Sequence, residues 1–176
     1  MPDGKLASGL LATSRRLVRP DTKRPSQASL RRAISTAYYA VFHALAKLCA
    51  DRLVGATKVT RPNKAWVEVY RGLIHGECVS ACQGARNVNF PESLKNFADA
   101  FVQLQRARET CDYDPMARPT KREALFYVSL AERSIAALKA VPAKDQIAFA
   151  TWVLITSKGA KSARVRVREN RVGEIG

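Results

Sequence analysis

Acid–base chemistry has few candidates in this chain, which contains only two histidines, His43 and His75. His43 lies near the end of the segment RRAISTAYYAVFHA, Arg31 to Ala44, where small residues alternate with aromatic and cationic ones. Two readings fit it. In one, the segment is a bundle core with a satisfied polar edge: small side chains let a neighbouring helix approach, and the tyrosines pack their rings while their hydroxyls reach a polar partner. In the other, Arg32, Tyr39 and His43 form a ligand- or RNA-facing surface. The four cysteines are Cys49, Cys78, Cys82 and Cys111. Cys78 and Cys82 share a face if helical, but zinc usually takes four ligands with tighter Cys-x-x-Cys pairs. Buried thiols acting as small apolar groups are the expectation, with no metal and no cofactor. In Asp112-Tyr113-Asp114-Pro115 the aspartates suit a turn. There Tyr113 reads as a packing anchor, and Arg106 or Arg108 as the partner that pins Asp112. Phosphate loops, dinucleotide-binding turns, His-Glu-x-x-His and Gly-x-Ser-x-Gly are all absent.

The elements that must carry these residues read as helices. Leu6, Leu10, Leu11, Leu17 and Val18 predict a short helix over 4–19, stopped by Pro20. Ser26 caps a second helix that runs without Gly or Pro to Gly55, with Leu30, Ile34, Ala37, Tyr38, Val41, Leu45 and Leu48 recurring at steps of three and four. Pro62 suits the first turn of a third helix bearing Trp66, Val69, Tyr70 and Leu73; Gly76 weakens it and Gly84 ends it. A fourth helix opens at Pro91-Glu92-Ser93 and fails before Asp112, because a residue preceding proline avoids the helical region. Thr120 and Glu123 form a capping box for a fifth. Pro142 precedes a sixth with Ile147, Ala148, Trp152 and Ile155 as its apolar side. The RVRVR run from Arg164 alternates with a period of two and suggests a short strand or an extended arm. The pattern is all-α: a helical bundle domain over 1–156 and a basic, partly extended C-terminal tail over 157–176.

Charge narrows the partners. Among 176 residues, 30 Lys and Arg face 15 Asp and Glu, a formal net charge of +15. The excess gathers at the ends: residues 146–176 hold six basic and two acidic side chains, whereas 91–115 hold three and five. Such a distribution attracts polyanions, RNA foremost, through Lys158, Lys161, Arg164, Arg166 and Arg168. No apolar run reaches the roughly 18 residues of a membrane span, so no membrane partner is expected. The N-terminal segment lacks the charge order of a signal peptide, and a cytoplasmic location follows as the expectation.

Two of these segments resemble a known superfamily. RRAISTAYYAVFHAL is similar to the signature helix of the HEPN superfamily (higher eukaryote and prokaryote nucleotide-binding), and RARETCDYDP, Arg106 to Pro115, resembles the segment before the last core helix in a branch of small HEPN-like proteins. The resemblance covers about residues 8–141. It implies an up-and-down bundle of four or five helices, often a homodimer, with an antitoxin or nucleotidyltransferase-type partner in toxin–antitoxin or defence modules. Many members are metal-independent endoribonucleases with an Arg followed after four to six residues by a His, usually at the dimer interface; others have lost activity and bind RNA, nucleotides or a partner protein. The nearest match here is Arg71-Gly-Leu-Ile-His75, with three residues between. On one helix this pair would share a face about one turn apart. His75 could then take the 2′-hydroxyl proton and Arg71 could stabilise the attacked phosphate. The expected function is a non-catalytic or weakly catalytic RNA- or partner-binding protein. The alternatives are an endoribonuclease using Arg71 and His75 across a dimer, and a purely structural interaction domain.

Overall fold

The second helix organises the molecule. The computed structural model describes residues 5–19, 24–156, 159 and 162–165, and in it α2 spans Gln27–Leu53, following α1 at Leu6–Val18. The Ser26 hydroxyl accepts from the Ser29 amide and satisfies one of the first-turn donors. With no Gly or Pro to interrupt it, α2 extends for 27 residues, about 40 Å. It ends where Gly55 takes a φ of +122°, a conformation that side chains with a Cβ rarely adopt. Ala33, Ala37, Ala40, Ala44, Ala46 and Ala50 are all buried. These alanines let neighbours close in from several directions, so α2 is apolar around most of its circumference.

The remaining helices are α3 (Asn63–Arg71), α4 (His75–Gly84), α5 (Glu92–Tyr113), α6 (Lys121–Ala140) and α7 (Ala143–Leu154), with a short 3-10 turn at Ala85–Asn87. Helices α1, α2, α5 and α6 pack on one another as a four-helix core. Outside it, α3 lies on α2, α4 bridges α5 and α7, and α7 also packs on α2. Phe97, Phe101 and Leu104 of α5 meet Ile34, Tyr38 and Leu45 of α2 in a single apolar cluster. Truncating one such fully buried leucine typically costs about 2–5 kcal/mol. All four cysteines are buried as free thiols, and burial raises the pKa of each. Among the described residues there is no strand, and no helix is long and apolar enough to cross a membrane.

Several local expectations hold. The Thr120–Glu123 capping box is formed in both directions at the start of α6. Others change. The single third helix expected after Pro62 is two helices, broken at Gly72-Leu73-Ile74 rather than weakened at Gly76. Glycine costs helix stability, and Ile74 takes the extended conformation that β-branched residues favour. Helix α5 does not fail before Asp112. It continues through Tyr113, and only Asp114, directly before Pro115, turns extended. The buried side of α7 is Gln146, Phe149, Ala150 and Val153, whereas Ile147 and Ile155 are 49% and 44% exposed. Residues 162–165 are helical rather than extended; Pro20 and the rest of the RVRVR run lie outside the described residues.

Candidate functional site

Proline chemistry at the end of α5 sets up the site. In a continuing helix the Cys111 carbonyl would accept from residue 115, but Pro115 has no N–H to give. Arg31 of α2 supplies the missing donor: its Nε bonds the Cys111 carbonyl at 2.6 Å, and its guanidinium also bonds the Asp114 carbonyl at 2.9 Å. This clamp fixes the last turn of α5 against α2. Asp114 then closes the following turn by accepting from the Met116 amide at 2.8 Å.

On that fixed turn, Arg108 and Asp112 sit four residues apart and face the same way. Arg108 Nε lies 2.8 Å from Asp112 Oδ2. The Nε–H is not aimed along that line, so the contact is an ion pair without an aligned hydrogen bond. Ser35 of α2 donates to the same Asp112 oxygen at 3.1 Å. Arg108 also donates to the Tyr39 hydroxyl at 2.8 Å and, more weakly, to that of Tyr113 at 3.4 Å. Its guanidinium lies 5.4 Å from the Tyr39 ring centre and 5.2 Å from that of Tyr113, between two rings. Burial opposes this charge, but Tyr39, Tyr113 and Asp112 outweigh it and raise the pKa of Arg108.

The break before α4 brings His75 to the same cluster. Its Nδ1 shares a 2.5 Å hydrogen bond with the Tyr38 hydroxyl, and its ring stacks on Phe42 with centres 4.0 Å apart. Tyr39 meets the imidazole edge-on at 6.0 Å. Burial, helped by the Arg108 charge, lowers the His75 pKa, so the neutral imidazole is the favoured form at physiological pH. Burial also raises the Tyr38 pKa, so that hydroxyl keeps its proton. Among the described residues, Nε2 of His75 has no hydrogen-bond partner. Next along α2, His43 Nδ1 bonds the Tyr70 hydroxyl at 2.8 Å, and the two rings stack. Burial and the neighbouring His75 lower the His43 pKa. Trp66 extends the stack beyond Tyr70, and the Arg61 guanidinium lies over the Trp66 ring.

The sequence candidates thus divide. Tyr39 and His75 come together with Arg108, and His43 adjoins His75 on the Tyr70 side. Arg71 is exposed at the last turn of α3, and the helix break removes the shared face on which its pairing with His75 depended. Arg32 is exposed and lines an open groove with Arg31, Asp112 and Arg118. Arg164 stacks on Trp152 at 4.2 Å and donates to the carbonyls of Trp152 and Ile155, closing the C-terminal end of α7. Lys158, Lys161, Arg166 and Arg168 lie outside the described residues. Sequence reasoning treated Arg108 as a loop pin and missed it as a neighbour of His75. Its four-residue spacing to Asp112 was visible, but nothing local points to Tyr39 or His75. Tyr113 is 71% exposed rather than a packing anchor. Among the described residues no three His, Cys, Asp or Glu side chains converge to hold a metal ion.

In chemical terms the cluster offers a neutral imidazole with one open nitrogen, a guanidinium held by fixed partners, and the protonated Tyr38 hydroxyl. It can accept a proton and stabilise negative charge. Comparisons with protein-family models, curated proteins and solved structures return no match to this chain.

Proposed function

We propose that this chain is a HEPN-like helical protein that binds RNA, with the cluster around His75 and Arg108 as its phosphate-facing centre. The observation that carries the reading is the convergence of His75 from α4, Arg108 from α5 and Tyr39 from α2 in a chain of net charge +15. Exposed Arg32 and Arg118 beside Asp112 supply further phosphate contacts. Binding of this kind is salt-sensitive and largely independent of sequence. The test is retention of a mixed RNA pool in EDTA across a salt series. Retention that falls steeply with salt, and falls further in Arg32→Ala/Arg118→Ala, is expected; no retention by the wild type at low salt refutes the reading.

The open Nε2 of His75 favours a second reading, a metal-independent endoribonuclease. In it, Nε2 takes the 2′-hydroxyl proton and the 2′-oxygen attacks the adjacent phosphorus. The bond to the 5′-oxygen breaks, that oxygen takes a proton from water, and a 2′,3′-cyclic phosphate remains. Arg108, rather than Arg71, is the guanidinium that electrostatically assists. RNA cleavage in EDTA, abolished by His75→Ala and retained in Arg71→Ala, is the expected result. Undiminished cleavage in His75→Ala removes this site.

A further inference from the structure

Tyr113 is a large aromatic side chain that the core does not use. It is 71% exposed and lies at the last residue of α5, yet its surroundings are built rather than loose. Arg108 lies on one side of the ring and bonds its hydroxyl; the Arg108 charge is held in turn by Tyr39 and Asp112. The backbone beneath is held by the Arg31 clamp and by the Asp114 turn. The neighbouring residue Asp112 opens onto the groove of Arg32 and Arg118. An aromatic face in open solvent, stiffened from behind by a fixed guanidinium, next in sequence to a groove lined by exposed Arg32 and by Arg118, which its own turn holds through the Pro115 and Ala117 carbonyls, has the parts of a single-strand binding surface: a ring for a base and positive charge for the neighbouring phosphates.

We propose that Tyr113 is a base-stacking platform that takes an unpaired nucleobase of a polynucleotide on the ring face away from Arg108, while the phosphates next to that base meet Arg32 and Arg118. The inference rests on the RNA-binding reading above and adds to it the residue that distinguishes an unpaired base from bare backbone. Double-stranded RNA, whose bases are already stacked on one another, gains nothing from this ring.

The test is fluorescence anisotropy of a labelled oligouridylate, an abasic oligomer of the same length and an RNA duplex, with wild type, Tyr113→Ala and Tyr113→Phe. Uridine monophosphate serves as competitor to separate a free nucleotide site from a strand site. The expected result is about tenfold weaker binding of oligouridylate by Tyr113→Ala, the scale of one base–aromatic stack, with Tyr113→Phe close to wild type. The abasic oligomer and the duplex should bind both variants as they bind wild type, and the monophosphate should compete weakly. Because Tyr113 is exposed and gives up only its contact with Arg108, Tyr113→Ala should keep the wild-type circular dichroism and lower Tm by no more than about 2 °C. Equal weakening for the abasic oligomer, no weakening for oligouridylate, or monophosphate competition as strong as the oligomer's would each overturn the platform and leave RNA binding standing. Absence of binding by the wild type to all three polymers would overturn the RNA reading and the platform together.

Discussion

Replacing Arg108 by methionine keeps the apolar stem and removes the charge from the centre of the cluster. The side chain is only 14% exposed, so its contacts are partly shielded from water. The bond to the Tyr39 hydroxyl is charge-assisted and is worth about 1.5–3 kcal/mol. The contacts with the two tyrosine rings add about 0.5–1 kcal/mol. The Asp112 ion pair, with a quarter of the carboxylate side chain exposed and no aligned N–H, contributes at most about 1 kcal/mol. Against these stands the cost of holding a guanidinium away from water, which the substitution removes. The balance is a loss of about 2 kcal/mol. For a chain of 176 residues this lowers Tm by about 4–8 °C. A second readout isolates the charge. Arg108 helps hold the His75 pKa down, so Arg108→Met should raise it, measured by NMR titration of the imidazole. Urea and thermal unfolding give the stability change, and a double-mutant cycle with Asp112→Asn gives the share of the ion pair. An unchanged Tm together with an unchanged His75 titration would refute the coupling between α4 and α5 on which the site depends.

Two further outcomes follow from the same contacts. In the folded protein, His43 and His75 titrate below the ordinary value of 6.5, chiefly because burial disfavours the imidazolium. The unfolded chain therefore protonates first as pH falls: the stability these neutral rings carry is complete above about pH 6.5 and lost from there down towards the folded values. Urea midpoints between about pH 7 and 5 should fall for wild type and stay flatter for His43→Gln/His75→Gln; parallel curves would remove the histidines as the cause. Thr120→Ala removes the hydroxyl that accepts from the Glu123 amide and bonds its carboxylate, leaves the residue-120 N–H on Glu123, and should cost about 1 kcal/mol, or about 2–4 °C in Tm. An unchanged Tm would show that the hydroxyl adds nothing to what packing and the Glu123 carboxylate supply.

Much of the helical layout was legible because its signals are local. Ser26 and Gly55 bracket α2, Thr120 and Glu123 open α6, and Pro115 turns Asp114 out of α5. The errors also have local causes. Assigning proline's restriction to three residues instead of one shortened α5. Counting Ile147 and Ile155 as the apolar side of α7 put hydrophobicity ahead of contact; the helix buries Gln146 because its amide and carbonyl find Leu138 and Arg52 as partners. The break at Gly72-Leu73-Ile74 mattered most. It separates Arg71 from His75 and turns His75 onto α2, where Tyr38 and Phe42 receive it.

The sequence by itself determined an all-α fold class, the caps and breakers that end most of its helices, and a strong positive charge. Each depends on residues within about one turn of one another, or on composition alone. Only the tertiary structure decided which polar groups meet. His75 bonds Tyr38 across 37 positions and Arg108 bonds Tyr39 across 69. These approaches are set by how α4 and α5 lie on α2 once alanines and aromatic rings have packed. No period or spacing within a single helix carries that information, because side-chain contact between helices depends on the packing of both surfaces at once.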